Sequence, residues 1–185
     1  MSTYKELKGL RVKYVPTDTT SPSTAAAGDV WYNTASGQLK GYVGQSAWSA
    51  GSPMLLPLQY RFGGGTPTAT FAAGGSPSPA AGVATEEYDG TGWSAGGDIG
   101  TSRYGGGSAG TLTAGLIFGG YFDPPAATKD ETEEYDGTSW SEQNDLNTAR
   151  YSQGGFGIQT AAVHASGFNP GGQVADTEEY NGTSW

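Results

Sequence analysis

The chain has 185 residues, 32 of them glycine and 10 proline, and no cysteine, which excludes disulfides and thiolate chemistry. That glycine and proline share approaches the level of disordered chains, yet 11 tyrosines and 5 tryptophans supply burial that such chains lack. The net charge of −9 divides into +2 over residues 1–40 and −11 over the rest, which argues against nucleic-acid binding by the acidic body.

In chain order, residues 1–20 hold no apolar run of the length that a signal peptide or membrane span needs, so no membrane insertion is expected. Leu10, Val12 and Tyr14 alternate with Arg11 and Lys13, which reads as a strand with a basic outer face. Residues 16–27, PTDTTSPSTAAA, follow as an extended linker. Residues 28–42, GDVWYNTASGQLKGY, read as two short aromatic strands at about 30–32 and 38–43. Residues 1–49 are therefore taken as an N-terminal anchoring segment, with Lys5, Lys8, Arg11 and Lys13 as its docking residues.

Residues 50–185 carry three repeats. TEEYDGTGW at 85–93, TEEYDGTSW at 132–140 and TEEYNGTSW at 177–185 are near copies, and YVGQSAW at 42–48 is a degraded one. Trp48, Trp93, Trp140 and Trp185 are 45, 47 and 45 residues apart, a period that fits one propeller blade or other stacked β unit per repeat. Asp-Gly or Asn-Gly after Tyr88, Tyr135 and Tyr180 marks a hairpin turn, and Asn181 keeps the turn while losing the carboxylate, so a calcium or catalytic role for these aspartates is disfavoured. Gly75, Gly120 and Gly167 each fall 27 residues after a tryptophan, and the length difference between repeats lies in residues 121–131, YFDPPAATKDE. That insertion reads as a loop on the binding face, with Tyr121, Phe122, Asp123 and Lys129 as partner-binding candidates. Each unit reads as four strands: one after an arginine, a more apolar one ending in glycine, one carrying TEEY and one holding the tryptophan. The tryptophans, the tyrosines of TEEY and these glycines are the expected structural anchors.

Arg103, the apolar strand ending in Gly119-Gly120, Tyr135 and Trp140, and again Arg150, Ser166-Gly167, Tyr180 and Trp185, occur in the order that resembles the kelch repeat. Asn-Thr-Ala-Arg and Tyr-Asp-Gly-Thr-Ser-Trp resemble repeat proteins of marine bacteriophages, and LKGLRVKYV with GDVWYNTASGQLKGY is similar to the N-termini of virion and tail-fibre proteins. The resemblance implies a virion component, assembled in the host cytoplasm, that docks on other virion proteins through residues 1–49 and binds a host-surface glycan or receptor through its repeats. It also implies a homo-oligomer, with a trimer favoured. Three complete units fall short of the four that a closed propeller needs, so the expectation is that they belong to a longer repeat domain, with several chains around one axis as the alternative. The alternative class is a cellular kelch-like scaffold for a protein partner.

Catalysis is not expected. One histidine and no cysteine cannot build a galactose-oxidase-like copper site. Arg61, Arg103 and Arg150 match the number of a sialidase arginine cluster but occupy one equivalent position each, which favours a structural role per unit. His164 stands where other repeats have Ile117 and Ala72 and lacks companion ligands. Glutamates 86/87, 133/134 and 178/179 point to opposite faces of a strand, so solvated or cross-strand positions are expected for them. The GGGSAG run lacks the lysine of a phosphate loop, and no cofactor or metal is assigned.

Overall fold

The computed structural model describes three strands among residues 1–49, then residues 50–76 and 81–185. Lys5, Lys8, Arg11, the linker at 16–27 and Trp48 lie outside the described residues. The chain divides into two compact units, Met1–Ala50 and Gly51–Trp185. In the first, β1 (Val12–Val15), which contains Lys13, pairs parallel with β2 (Val30–Asn33), and β2 pairs antiparallel with β3 (Gln38–Gly41).

The second unit is built from successive antiparallel meanders. β4 (Phe62–Thr66), β5 (Ala69–Ala73), β6 (Thr85–Tyr88) and β7 (Trp93–Ala95) form one four-stranded sheet. β8 (Gly107–Thr111), β9 (Ala114–Phe122), β10 (Ala127–Tyr135) and β11 (Trp140–Glu142) form the next in the same order. The last repeat has a three-stranded sheet of β12 (Gly154–Ile158), β13 (Ala161–Ala165) and β16 (Thr177–Tyr180), with a ribbon of β14 (Phe168–Asn169) and β15 (Gly172–Gln173). A single 3-10 turn at Ala81–Val83 is the only helical element among the described residues, which form no closed ring. The fold is thus all-β, with repeated antiparallel sheets.

The Asp/Asn turns show why the copies tolerate the swap. Asp89 Oδ1, Asp136 Oδ1 and Asn181 Oδ1 each accept two backbone N–H bonds, at 2.8 and 2.9 Å, 2.7 and 2.8 Å, and 2.9 and 3.0 Å. An amide oxygen serves as well as a carboxylate there. Gly90, Gly137 and Gly182 follow with φ of 96°, 93° and 88°, where a side chain would be strained.

The hydrophobic cores lie between neighbouring repeats. Phe62 and Phe71 of the first repeat pack with Ile99 and Ile117 of the second, and Leu116 and Phe118 of the second pack with Leu146, Tyr180 and Trp185 of the third. A strand side chain stands perpendicular to its sheet, so stacking sheets face to face buries these residues without any helix.

Two expectations change and one is extended. Trp93 and Trp140 pair with Tyr88 and Tyr135 across their own hairpins, and Trp140 and Trp185, half-buried, also reach back to the preceding repeat: Trp140 Nε1 donates to Thr85 Oγ1 at 3.0 Å, and Trp185 Nε1 to Thr132 Oγ1 at 2.9 Å. The indole carries a large apolar body with one donor, which suits a joint between two sheets. Residues 121–131 are not a free loop. They extend β9 and β10 into a longer hairpin, because Ala127–Phe122, Thr128–Tyr121 and Lys129–Gly120 continue the ladder, with a register shift between Lys129 and Thr132. The TEEY glutamates are not solvated on their first position, since Glu86 and Glu133 are 1% exposed.

Candidate ligand-binding face

The buried glutamates explain the arginines. Arg61 pairs with Glu86, Arg103 Nη1 lies 2.6 Å from Glu133 Oε1, and Arg150 Nη2 lies 3.0 Å from Glu178 Oε1. Each carboxylate also accepts a backbone N–H, from Leu55, Gly100 and Asn147 at 2.6, 2.7 and 2.8 Å. A buried guanidinium without such partners would be costly to desolvate, so each pair is a fixed joint within its repeat. Each of the three arginines is engaged by its own glutamate.

The second glutamate of TEEY faces the following repeat. Tyr135 Oη donates to Glu87, and Tyr180 Oη donates to Glu134 Oε1 at 3.1 Å. Burial, with the facing carboxylate, pushes both phenols up to about 12. One face of the motif thus locks its own repeat and the other locks the next.

His164 is fully buried beside Phe118 and Trp185, with Nε2 3.3 Å from Glu178 Oε1. Burial pulls its imidazole below the ordinary value, against the pull of Glu178. On Glu178, burial would raise the carboxyl, but N–H donors from Asn147 outweigh it and hold it low. No group of three metal-ligating side chains occurs among the described residues.

The surface assembled at the end where the first strands begin is different in kind. The residue after Arg103 and Arg150 is a tyrosine, and the residue after Gly120 and Gly167 is Tyr121 or Phe168. These meet across isolated bridges, Tyr104 with Tyr121 and Tyr151 with Phe168. Gly120 and Gly167, at φ of 120° and 111°, allow this because an added Cβ would lie 3.0 and 2.9 Å from the carbonyls of Tyr104 and Tyr151. Gly75, at φ 128°, occupies the same position against Gln59.

The rings run in one row across the repeats. Tyr60–Tyr104, Tyr104–Tyr121, Tyr121–Tyr151 and Tyr151–Phe168 centroids are 5.9, 5.8, 5.0 and 5.7 Å apart. Tyr60 is 64% and Phe168 37% exposed, and the three tyrosines between them are partly open. A backbone stair supports the row: Gly105 N–H donates to Tyr60 O at 2.8 Å and Ser152 N–H to Gly105 O at 2.6 Å. Beyond Phe168 lies an open cleft of about 420 Å³ lined by Ser152, Ser166, Gly167, Phe168, Gln173 and Val174.

Of the residues singled out from the sequence, Tyr121 is in the row and Phe122 and Asp123 are at the adjoining hairpin tip. The tyrosine at 104 is pushed up by burial and then by the Asp123 charge, which puts that carboxylate within electrostatic reach of the row. Lys129 is instead tied up, with Nζ 2.8 Å from Glu131 Oε1 and its carbonyl accepting Arg150 N–H at 3.0 Å. The sequence reading missed Tyr60, Tyr104, Tyr151 and Phe168, although the repeated Arg-Tyr pair was a usable signal. The arrangement offers flat apolar faces with phenol donors.

No protein-family model matches the chain, and no curated protein matches it. Among solved structures, the chain is similar to one described as the structure of YjhT, with a TM-score of 0.55 and 16% identity over 79% of this chain. The match spans about half of that protein's length, 47% of its chain. The likeness is one of fold, repeated antiparallel β-sheets.

Proposed function

We propose that this chain is a non-enzymatic structural protein of a bacteriophage, a tail fibre or other surface fibre, whose repeats attach to host-surface glycan. In this reading the repeats are kelch-like propeller blades, residues 1–49 dock on other virion proteins, and the particle carries the protein as a homo-oligomer, a trimer being the usual arrangement of a fibre. The single observation behind the attachment role is the aromatic row from Tyr60 to Phe168 with the cleft beside it. Rings whose faces and phenol groups are both accessible suit the apolar face and hydroxyls of a sugar, and weak contacts repeated along a row gain by multivalency.

The test is binding of the intact chain to an array of bacterial surface polysaccharides, with Tyr104→Ala and Tyr121→Ala beside it. The expected result is binding that each variant weakens at least several-fold with the circular dichroism unchanged. Binding that both variants retain in full would contradict the assignment of this face.

A further inference from the structure

The same joint is made twice between repeats. At the first, Thr85, Glu87 and Phe71 meet Trp140 and Tyr135, and at the second, Thr132, Glu134 and Leu116 meet Trp185 and Tyr180 or the side chains around them. In both, the threonine and the apolar residue are buried to 2% exposure or less. The ladders make the third set unambiguous. Phe71 lies opposite Gly64, Leu116 opposite Ala109 and Val163 opposite Phe156, while Thr177 and Glu179 hold the places of Thr85 and Glu87.

This third face is open, with Val163 only half-buried. Thr177 and Glu179 are exposed, and Phe156 and Ile158 stand at 63% and 57% exposure where the first two repeats have Gly64 and Thr66, or Ala109 and Thr111. Two large apolar side chains on one strand, rimmed by two hydrogen-bond acceptors, mark an interaction surface rather than a solvated edge. The matching donors exist elsewhere in the molecule. Tyr88 and Trp93 stack on each other at 5.2 Å in the first repeat, half-buried, with neither giving the donor bond to another described residue that its counterparts make.

We infer that a second copy of this chain docks head to tail here, its Tyr88 and Trp93 on Glu179 and Thr177, with Phe156 and Ile158 buried between the copies. Continuity with the two joints already made argues for a repeat of this same sequence as the occupant, since acceptor threonine and glutamate meet donor tryptophan and tyrosine in both. The contact is heterologous, joining different surfaces of the two copies, so its repetition closes a ring or extends a row. The inference deepens the oligomer part of the proposed function and rests on it there, while the attachment reading is tested separately by saccharide binding.

The experiment is light scattering of the full chain across a range of concentrations, beside a Phe156→Asp, Ile158→Asp double variant. The wild type is expected at a multiple of 19.0 kDa, and the variant, altered only at exposed positions, at 19.0 kDa with unchanged circular dichroism. Because the chain has no cysteine, Trp93→Cys and Thr177→Cys chains provide a second readout. A short bismaleimide is expected to link them in a mixture and not within either variant alone. A wild type at 19.0 kDa throughout, an oligomer that the double variant retains, or linkage no stronger in the mixture would overturn the proposal. A monomer of greater mass from native material would also overturn it, and would give the face to a further repeat of the same polypeptide.

Discussion

The second and third repeats carry the same motif but differ in what surrounds it. In the second, Glu133 is 1% exposed, Arg103 is fully buried, and Leu116, Ile117 and Phe118 in β9 are covered on both faces by the flanking repeats. In the third, Glu178 rises to 11% exposure, His164 stands where the second repeat has Ile117, and Val163 stands in place of Leu116. The difference lies on the glutamate side of the joint, where a neighbour covers Glu133 more fully than Glu178, while Arg150 at 1% exposure stays as buried as Arg103. In a stacked array each unit gains stability from its interfaces, so a unit flanked on both sides is the more cohesive.

The largest expected effect that tests this contrast comes from the arginines. Arg103→Ala leaves Glu133 buried and unpaired and is expected to cost about 3–5 kcal/mol. Arg150→Ala should cost less, because Glu178 keeps its two donors from Asn147 and some solvent. Urea unfolding of both variants compares them directly, and equal losses would break the contrast. Leu116→Ala is expected to cost about 2–5 kcal/mol. Val163→Ala, at the less covered equivalent position, should cost less in the same assay.

A smaller effect separates the repeats by pH. The His164 imidazole is held below its ordinary 6.5 by burial, so the folded chain binds that proton less readily than the unfolded one. This contribution to stability is present above about pH 6.5 and is lost as pH falls through the lower folded value. His164→Ile, restoring the residue of the second repeat, should remove that decline in a series of melting temperatures, and an unchanged slope would contradict it. The smallest effect is at the turns. Asp136→Asn should leave stability at pH 7 essentially unchanged, since Asn181 already does the same work. The N–H groups of Ser139 and Thr138 hold the Asp136 carboxyl below its ordinary value. The variant should therefore also lose a little of the wild type's decline below about pH 3.8, seen in an acid titration of unfolding.

How much of this was legible in the sequence depends on the distance over which each feature acts. The meander of each repeat was readable because TEEY alternates, Asp-Gly or Asn-Gly turns, and the copies repeat the pattern with substitutions only at Gly92 and Asn181. These are local rules of strand and turn chemistry. The burial of Glu133 was not readable, since its arginine lies 30 residues away in sequence and an isolated Glu-Glu pair on a strand is ordinarily solvated. The tryptophan's reach to a threonine 53 or 55 residues back was hidden for the same reason. The hairpin at 121–131 was misread as a loop because Asp-Pro-Pro marks a turn and the ladder beyond it pairs Thr128 with Tyr121, which composition alone does not show. In the aromatic row, Tyr121 was found through the length difference between repeats, whereas Tyr60, whose φ of 58° is unusual for a side chain of its size, follows no repeated pattern.

The central claim is that the second and third repeats each lock onto the one before through a tryptophan. A double-mutant cycle of Trp140→Phe and Thr85→Val, followed by urea unfolding, measures that lock, since each change deletes one partner of the hydrogen bond and keeps most of the side-chain volume. The account predicts a coupling of about 1 kcal/mol between the two positions. Losses that simply add, within about 0.3–0.5 kcal/mol, would contradict it.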